Sequence, residues 1–296
     1  MYANIPVPLT FVSASVAEDD APIWASGTTY NFGNPVIRNG FVYLSSINGN
    51  VGIDPATEPQ ELEGARWILK GPTNMRAFLD DVISTPTVGT GTLVLEVEAG
   101  EYFNSVALLG LNGNAVTVEL IRDGAVQETR EIRAGAEPVT GWLGWVRTIF
   151  FKRVRRHVLR DFAGFAGAHV RITIEGAAPS LGMLAVGRAL RIGTTLMNDR
   201  TRIAKRTFSE IKTDVFGKSK AVKRATTRDI TYSVKASRRT FWANERALDE
   251  LDGVKVVTWA HDDYPELIGF GFLSLPEVPV ELPETYFFEL TNEGVE

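Results

Sequence analysis

Short runs of β-branched and aliphatic residues, each ended by a glycine- or asparagine-containing turn, recur along most of this 296-residue chain. Thr92-Leu93-Val94-Leu95-Glu96-Val97, Ser105-Val106-Ala107-Leu108-Leu109 and Ala115-Val116-Thr117-Val118-Glu119-Leu120-Ile121 are the clearest. They are short for globular helices and rich in residues that fit a pleated surface. Gly100 and Asn112-Gly113-Asn114 separate them, and Asp123-Gly124 reads as a hairpin turn leading to Val126. Beyond a loop, His169-Val170-Arg171-Ile172-Thr173-Ile174-Glu175 and Gly182-Met183-Leu184-Ala185-Val186-Gly187 repeat the pattern. Many short strands with regular turns predict a β-sandwich over residues 70–195.

The flanks differ. Residues 5–16, opening Ile5-Pro6-Val7-Pro8-Leu9, predict an extended or edge strand, because two prolines cannot donate to a central ladder. With the polar hinge Glu18-Asp19-Asp20 they form an N-terminal arm over 1–20. Over 196–296 the signals mix. Period two in Phe208–Phe216 places Ile211, Thr213 and Val215 on one face and Glu210, Lys212 and Asp214 on the other, which predicts a half-buried strand. Gly217-Lys218-Ser219 reads as a turn, and Thr227–Ala236 as a second alternating strand through Ile230, Tyr232 and Val234. Phe241, Leu248 and Leu251 fall on one helical face, with Thr240 as N-cap and Gly253 as terminator. Val254–Trp259, Leu267–Leu273 and Tyr286–Leu290 complete a predicted α+β unit of one helix on an antiparallel sheet.

Composition bounds the function. Without cysteine, disulfides, thiolate catalysis and cysteine zinc sites are excluded, which points to synthesis in a reducing cytoplasm. No apolar run reaches the roughly 18 residues of a membrane span, and Met1–Thr10 lacks the features of a secretory signal. The net charge of −5 hides a segregation. Residues 1–140 carry a net −10, residues 141–239 a net +16 and residues 240–296 a net −11. A basic middle between acidic ends suits nucleic acid or a second copy's acidic surface; the near-cancellation favours self-complementarity. Arg153, Arg155, Arg156, Lys223 and Arg224 are the subunit-interface candidates. Trp142, Trp145 and Ile149-Phe150-Phe151 interleave with the first of these bases, as packed aromatics in a sandwich loop or strand or as a nucleic-acid footprint.

No constellation specifies chemistry. His157, His169 and His261 include no pair at helical metal spacing. His261-Asp262-Asp263 reads as a solvated loop. Asp19-Asp20 and Asp80-Asp81 are sequence neighbours, which point apart on a strand. Gly217-Lys218-Ser219 ends like a phosphate loop but has Lys212 where that motif needs glycine. The chain is expected to be non-enzymatic, with no cofactor and no metal.

Three resemblances bear on identity. Trp24, Gly27-Thr28, Tyr30, Gly33, Val36, Asn39-Gly40 and Tyr43 resemble the small chitin- and cellulose-binding modules, over residues 21–69. The likeness implies a small three-stranded unit and makes Trp24, Tyr30 and Tyr43 the candidate glycan contacts. It departs from chitin-active members at Ser45-Ser46-Ile47-Asn48, where those members add stacking aromatics. This favours use of the three aromatics as a miniature core. Ile172-Thr173-Ile174-Glu175 followed by Leu184-Ala185-Val186-Gly187 resembles a galactose-binding-type jelly roll. Asp214-Val215-Phe216-Gly217, the strand Val254–Trp259 and Gly269-Phe270-Gly271 resemble end domains of bacteriophage tail and baseplate proteins. Together they imply a structural protein of a phage virion, in the tail, baseplate or fibre region. It would be made in the bacterial cytoplasm and be partnered by itself, other tail proteins and host-surface polysaccharide, with nucleic acid disfavoured. The alternative is a glycan-binding accessory protein of a polysaccharide-degrading system.

Overall fold

A computed structural model describes residues 1–59, 64–135, 141–143, 146, 154–197, 200–213, 217–261, 264–274 and 284–295, without the side chains of 241 and 242. The fold is mainly β, with 52% of residues in strands and 7% in helix, so sheet packing dominates its stability. The chain begins with β1 (Tyr2–Pro6) and β2 (Leu9–Ala14), then β3 (Pro35–Arg38), β4 (Phe41–Ser45) and β5 (Trp67–Pro72). It continues through β6 (Thr87–Val88), β7 (Thr92–Ala99), β8 (Ser105–Leu109), β9 (Ala115–Arg122), β10 (Ala125–Arg133) and β11 (Arg156–Arg160). β12 (Ala168–Glu175), β13 (Ser180–Leu181), β14 (Met183–Arg191) and β15 (Thr194–Thr195) follow. Then come β16 (Arg202–Thr207), β17 (Glu210–Thr213), β18 (Ser219–Val222), β19 (Thr226–Ser237), α1 (Phe241–Asp249), β20 (Lys255–Trp259), β21 (Gly269–Ser274) and β22 (Thr285–Gly294).

The sandwich expected over 70–195 has two facing layers. One is the five-stranded sheet β10-β9-β12-β7-β2, and the other begins β11-β8-β14. Alternation does the work: Leu93, Leu95 and Val97 of β7, Val118 and Leu120 of β9, and Val170, Ile172 and Ile174 of β12 point inward. There they meet Val106, Leu108, Leu184 and Val186 of the other layer. Both aspartate- or asparagine-glycine hairpins form. Asn39 and Gly40 have φ of 53° and 82°, and Asp123 and Gly124 have 50° and 77°, the two positive values such a turn requires.

The second layer does not stop at β14. It runs on as β11-β8-β14-β1-β20-β21-β22-β19-β15, with β16 also on β19. β1 is therefore a central strand, paired with β14 on one side and β20 on the other. The edge assignment for 5–16 holds for β2, which flanks β7 alone; Ile5 and Pro6 pair with β14 only, but they end a strand that is central through Tyr2–Asn4. Pro6 is tolerated because it closes the strand, opposite Gly187 and beyond the last residue paired with β20. Gly187 is required there by space: a Cβ would lie 2.1 Å from the Ile5 carbonyl oxygen.

The sheet curls. β11 and β21 are five strands apart, roughly 24 Å on a flat sheet at about 4.8 Å per step. Yet an Arg156 guanidinium nitrogen donates to the Ile268 carbonyl at 2.9 Å, beyond any side chain's reach unless the sheet bends back. Ala107, Leu109, Met183 and Ala185 of the sandwich strands thereby share one buried cluster with Val257, Trp259, Ile268 and Phe270. Tyr2 of β1 stacks on Trp259 at 5.5 Å between ring centroids.

On the opposite face α1 covers the C-terminal strands, with Leu248 and Leu251 against Ala3, Ile230, Tyr232, Val234 and Val256. Gly253, φ 69°, ends this segment. Thr240 does not cap it; its hydroxyl donates to the Ser237 carbonyl at 3.0 Å. The half-buried strand expected at 208–216 is also corrected. β17 is exposed at all four residues, and Asp214, Val215 and Phe216 lie outside the described residues. β17 pairs with β18 in a two-stranded hairpin, and among the described residues no second layer covers either face.

Candidate functional site

The unit carrying Trp24, Tyr30 and Tyr43 is an insertion between two sandwich strands, β2 and β7. Its sheet has the order β3-β4-β5, and Pro22–Trp24 lies beside β3 through the bonds Trp24 to Ile37 and Ile37 to Pro22. Departure and return of the chain are tied together: Thr73 donates its hydroxyl to Glu18 at 2.9 Å, and the Asn74 N–H donates to Asp20 at 3.0 Å. Arg76 lies across this neck, over the Phe11 ring at 4.6 Å. A Cβ at Gly40 would meet the Arg76 side chain at 2.4 Å, so glycine there serves both the turn and this close approach.

Inside the unit Tyr30, Val36, Tyr43 and Trp67 are buried together. Tyr30 and Trp67 meet edge to face, 5.3 Å between centroids, an orientation that the ring quadrupoles favour. The Tyr30 hydroxyl accepts the Ala25 N–H at 2.9 Å, and the Trp67 indole donates to Ile53 at 2.9 Å. Trp24 is half-buried, with the Arg38 guanidinium 5.1 Å from its ring centre. Arg38 in turn grips Asp54 through Nε, at 3.1 and 3.0 Å. That hydrogen bond holds the Asp54 carboxyl below its ordinary pKa. Tyr30 and Tyr43 are thus core residues of the unit, and of the three candidate contacts Trp24 alone keeps partial exposure. What the unit does present is apolar, mostly aliphatic with the Phe32 ring. Pro35, Leu44 and Ile68 stand in one cross-strand row, and Ile23, Phe32 and Ile68 are 75%, 70% and 53% exposed. Sequence reasoning did not single out this row; its signal is apolar residues on both faces of a short strand.

The basic candidates divide between two places. Arg155 is exposed just before β11, and Arg156 is half-buried and bonded to Ile268. Arg153 lies outside the described residues, as do Trp145, Ile149, Phe150 and Phe151. Lys223 and Arg224 belong to a different element, the hairpin built by β16–β19. β16 pairs with the first residues of β19, and β17 with β18 carries the hairpin farther from the sheet. Every residue of β16, β17 and β18 is exposed. Arg224 meets Glu210 across it at 3.4 Å.

The outer face of the five-stranded sheet holds a charged row. Glu96 accepts from His169 at 2.8 Å and from Arg171 at 2.9 Å, and Arg171 reaches Glu119 at 3.7 Å. Burial pushes the Glu96 carboxyl up, but the His169 and Arg171 hydrogen bonds together outweigh it and leave it below its ordinary value. At the seam of the curled sheet a cavity of about 290 Å³ is lined by Pro6, Leu79, Val254 and Phe270, with Lys255 and Asp81 paired at 3.4 Å. It offers one ion pair and the Asn4 amide, with otherwise apolar walls. His157 lies on β11 and His261 follows β20, far from His169 in the sheet order; Asp262 and Asp263 lie outside the described residues. Among the described residues no group of three His, Cys, Asp or Glu is placed to hold a metal ion, and no helix is long and apolar enough to cross a membrane. Comparison with protein-family models, with curated proteins and with solved structures yields no match for this chain.

Proposed function

We propose that the chain is a non-enzymatic structural subunit of a bacteriophage virion, from the tail, baseplate or fibre region, assembling with further copies and with other virion proteins. The observation that carries the reading is the inserted three-stranded unit. Tyr30, Tyr43 and Trp67 form its own core, while Ile23, Phe32 and Ile68 face outward. A sugar platform needs flat, accessible rings with polar groups around them; Phe32 is such a ring, but Ile23 and Ile68, exposed with it, are aliphatic. An exposed apolar surface on a tethered unit fits docking to protein better. The virion assignment draws its support from the likeness of the C-terminal strands to tail and baseplate proteins.

Two measurements test this. Virions purified from a host carrying the gene should yield tryptic peptides of the chain in amounts comparable to known tail subunits; their absence overturns the virion reading. On a glycan array the chain should bind nothing. Binding that Trp24→Ala abolishes would replace the reading with that of a glycan-binding accessory protein.

A further inference from the structure

The hairpin from Arg202 to Arg228 is rooted in the main sheet through β16 on β19, Arg206 on Asp229 and Arg228 on the Glu266 carbonyl, and β17 with β18 extends beyond that root. The hairpin carries nine Lys or Arg and two Asp or Glu, a net +7. Beyond Thr207 it is a bare two-stranded ribbon, an element that is marginal in water without a third strand or a covering layer. Both faces carry apolar side chains open to solvent, with Phe208 51% and Ile211 73% exposed. Arg202, Lys205, Lys220 and Lys223 make no ion pair among the described residues. A ribbon of this kind is kept where something else completes it.

The rest of the chain is its electrostatic complement. The segment 240–296 has a net of −11. Part of that charge forms a stripe on α1 and the turn after it. Glu245, Asp249 and Asp252, at spacings of four and three, share one exposed face beside Glu250. None of the four has an ion-pair partner among the described residues. Asp249, Glu250 and Asp252 crowd the C-terminal end of the helix, where the backbone dipole already presents negative charge and a cation is preferred. The ribbon has a large excess of cations over its two acidic residues, and the helix end sets Arg246 alone against Asp249, Glu250 and Asp252.

We propose that the Arg202–Arg228 hairpin is an assembly arm that docks on the acidic α1 surface of a second copy of this chain. The contact runs from the arm of one subunit to the helix of another; made reciprocally it closes a two-fold pair, and made in one direction it builds rings or filaments. The inference rests on the assembling-subunit reading above and names the surfaces that reading uses. The apolar residues Phe208 and Ile211 become covered in the contact, while Lys205, Lys220, Lys223 and Arg224 face the carboxylates.

The test is a charge exchange. Variant one carries Lys205→Glu, Lys220→Glu, Lys223→Glu and Arg224→Glu; variant two carries Glu245→Lys, Asp249→Lys and Asp252→Lys. All seven positions are exposed, so each variant should keep the parent's circular dichroism spectrum and melting transition. In sedimentation velocity at physiological salt the parent should self-associate, and each variant alone should weaken association about 100-fold or more. An equimolar mixture should associate again, because arm and helix charges are then inverted together. A third variant, with residues 209–223 replaced by Asn-Gly, should not associate at all. A parent that stays monomeric overturns the arm, and so does a mixture that fails to recover. Assembly that survives loss of residues 209–223 rejects the arm yet leaves the structural-subunit reading standing. A monomeric parent that binds DNA with a steep salt dependence would assign the hairpin to nucleic acid instead.

Discussion

Trp259 stands where the two halves of the curled sheet share a core, and truncating it tests whether they form one cooperative unit. Its side chain is 1% exposed, stacks on Tyr2, and lies with Ala107, Leu109, Met183 and Ala185 from the sandwich strands. Trp259→Ala removes a full indole and should cost about 3–5 kcal/mol. For 296 residues, an unfolding entropy of about 2.1 cal/mol/K per residue gives roughly 0.6 kcal/mol/K, so the melting temperature should drop by about 5–8 °C. Trp259→Phe behaves differently, because the buried indole N–H has no hydrogen-bond partner. Replacing indole by phenyl loses about 1 kcal/mol of apolar burial and removes an unsatisfied donor costing about 1–3 kcal/mol, so its net effect should be close to zero. The assay is guanidinium unfolding followed by far-ultraviolet circular dichroism and by tryptophan fluorescence. One coincident transition is expected in all three proteins, displaced in Trp259→Ala alone. A biphasic curve with one phase unmoved, or a Phe variant as weakened as the Ala variant, would refute the shared core.

Gly187→Ala should destabilise by about 1–3 kcal/mol or more, because the new methyl meets the β1 backbone at Ile5 rather than a pliable side chain; thermal melting checks it. Trp67→Ala should open the inserted unit alone, since a core of so few large residues cannot survive the loss. Limited trypsin digestion should then cut at Arg66 or Lys70 while the main transition stays within about 1 kcal/mol of the parent. The Glu96 carboxyl sits below its ordinary value of 4.5 in the folded protein. Above pH 4.5 its ion pairs contribute fully, and that contribution is lost as pH falls through the folded value. Glu96→Gln should therefore flatten the stability–pH curve below about 4.5, measured by denaturation in acid buffers; an unchanged slope would count against the pairing.

Much of the local structure was legible. The runs at 92–97 and 115–121 became β7 and β9 because alternation and turn residues agree there, and 105–109 became β8 as a short apolar run between turns, buried at every residue. Asn39-Gly40 and Asp123-Gly124 turned where few other pairs tolerate two positive φ values. Burial of Tyr30 and Tyr43 followed from the size of their unit. What escaped was long-range. Nothing local in Tyr2–Pro6 specifies its neighbours, which lie at 187–191 and 257–259, and the prolines argued for an edge. The alternation at 208–213 also misled: period two reports a strand, but only a covering layer makes one face of it buried, and among the described residues none covers β17.

The position of β1 sets a schedule for synthesis. Residues 2–6 leave the ribosome long before residues 257–259, yet one edge of that strand finds its partner only when those residues have been made. At about 5–20 residues per second, that interval is on the order of 10–50 s. Until then β1 and β14 present an open apolar rim, a template for the wrong strand from another nascent chain. Completion of the sheet therefore waits on β20 and the strands after it, and a product terminated before them keeps that rim uncovered. Such fragments should precipitate or be degraded rather than accumulate as a smaller folded protein.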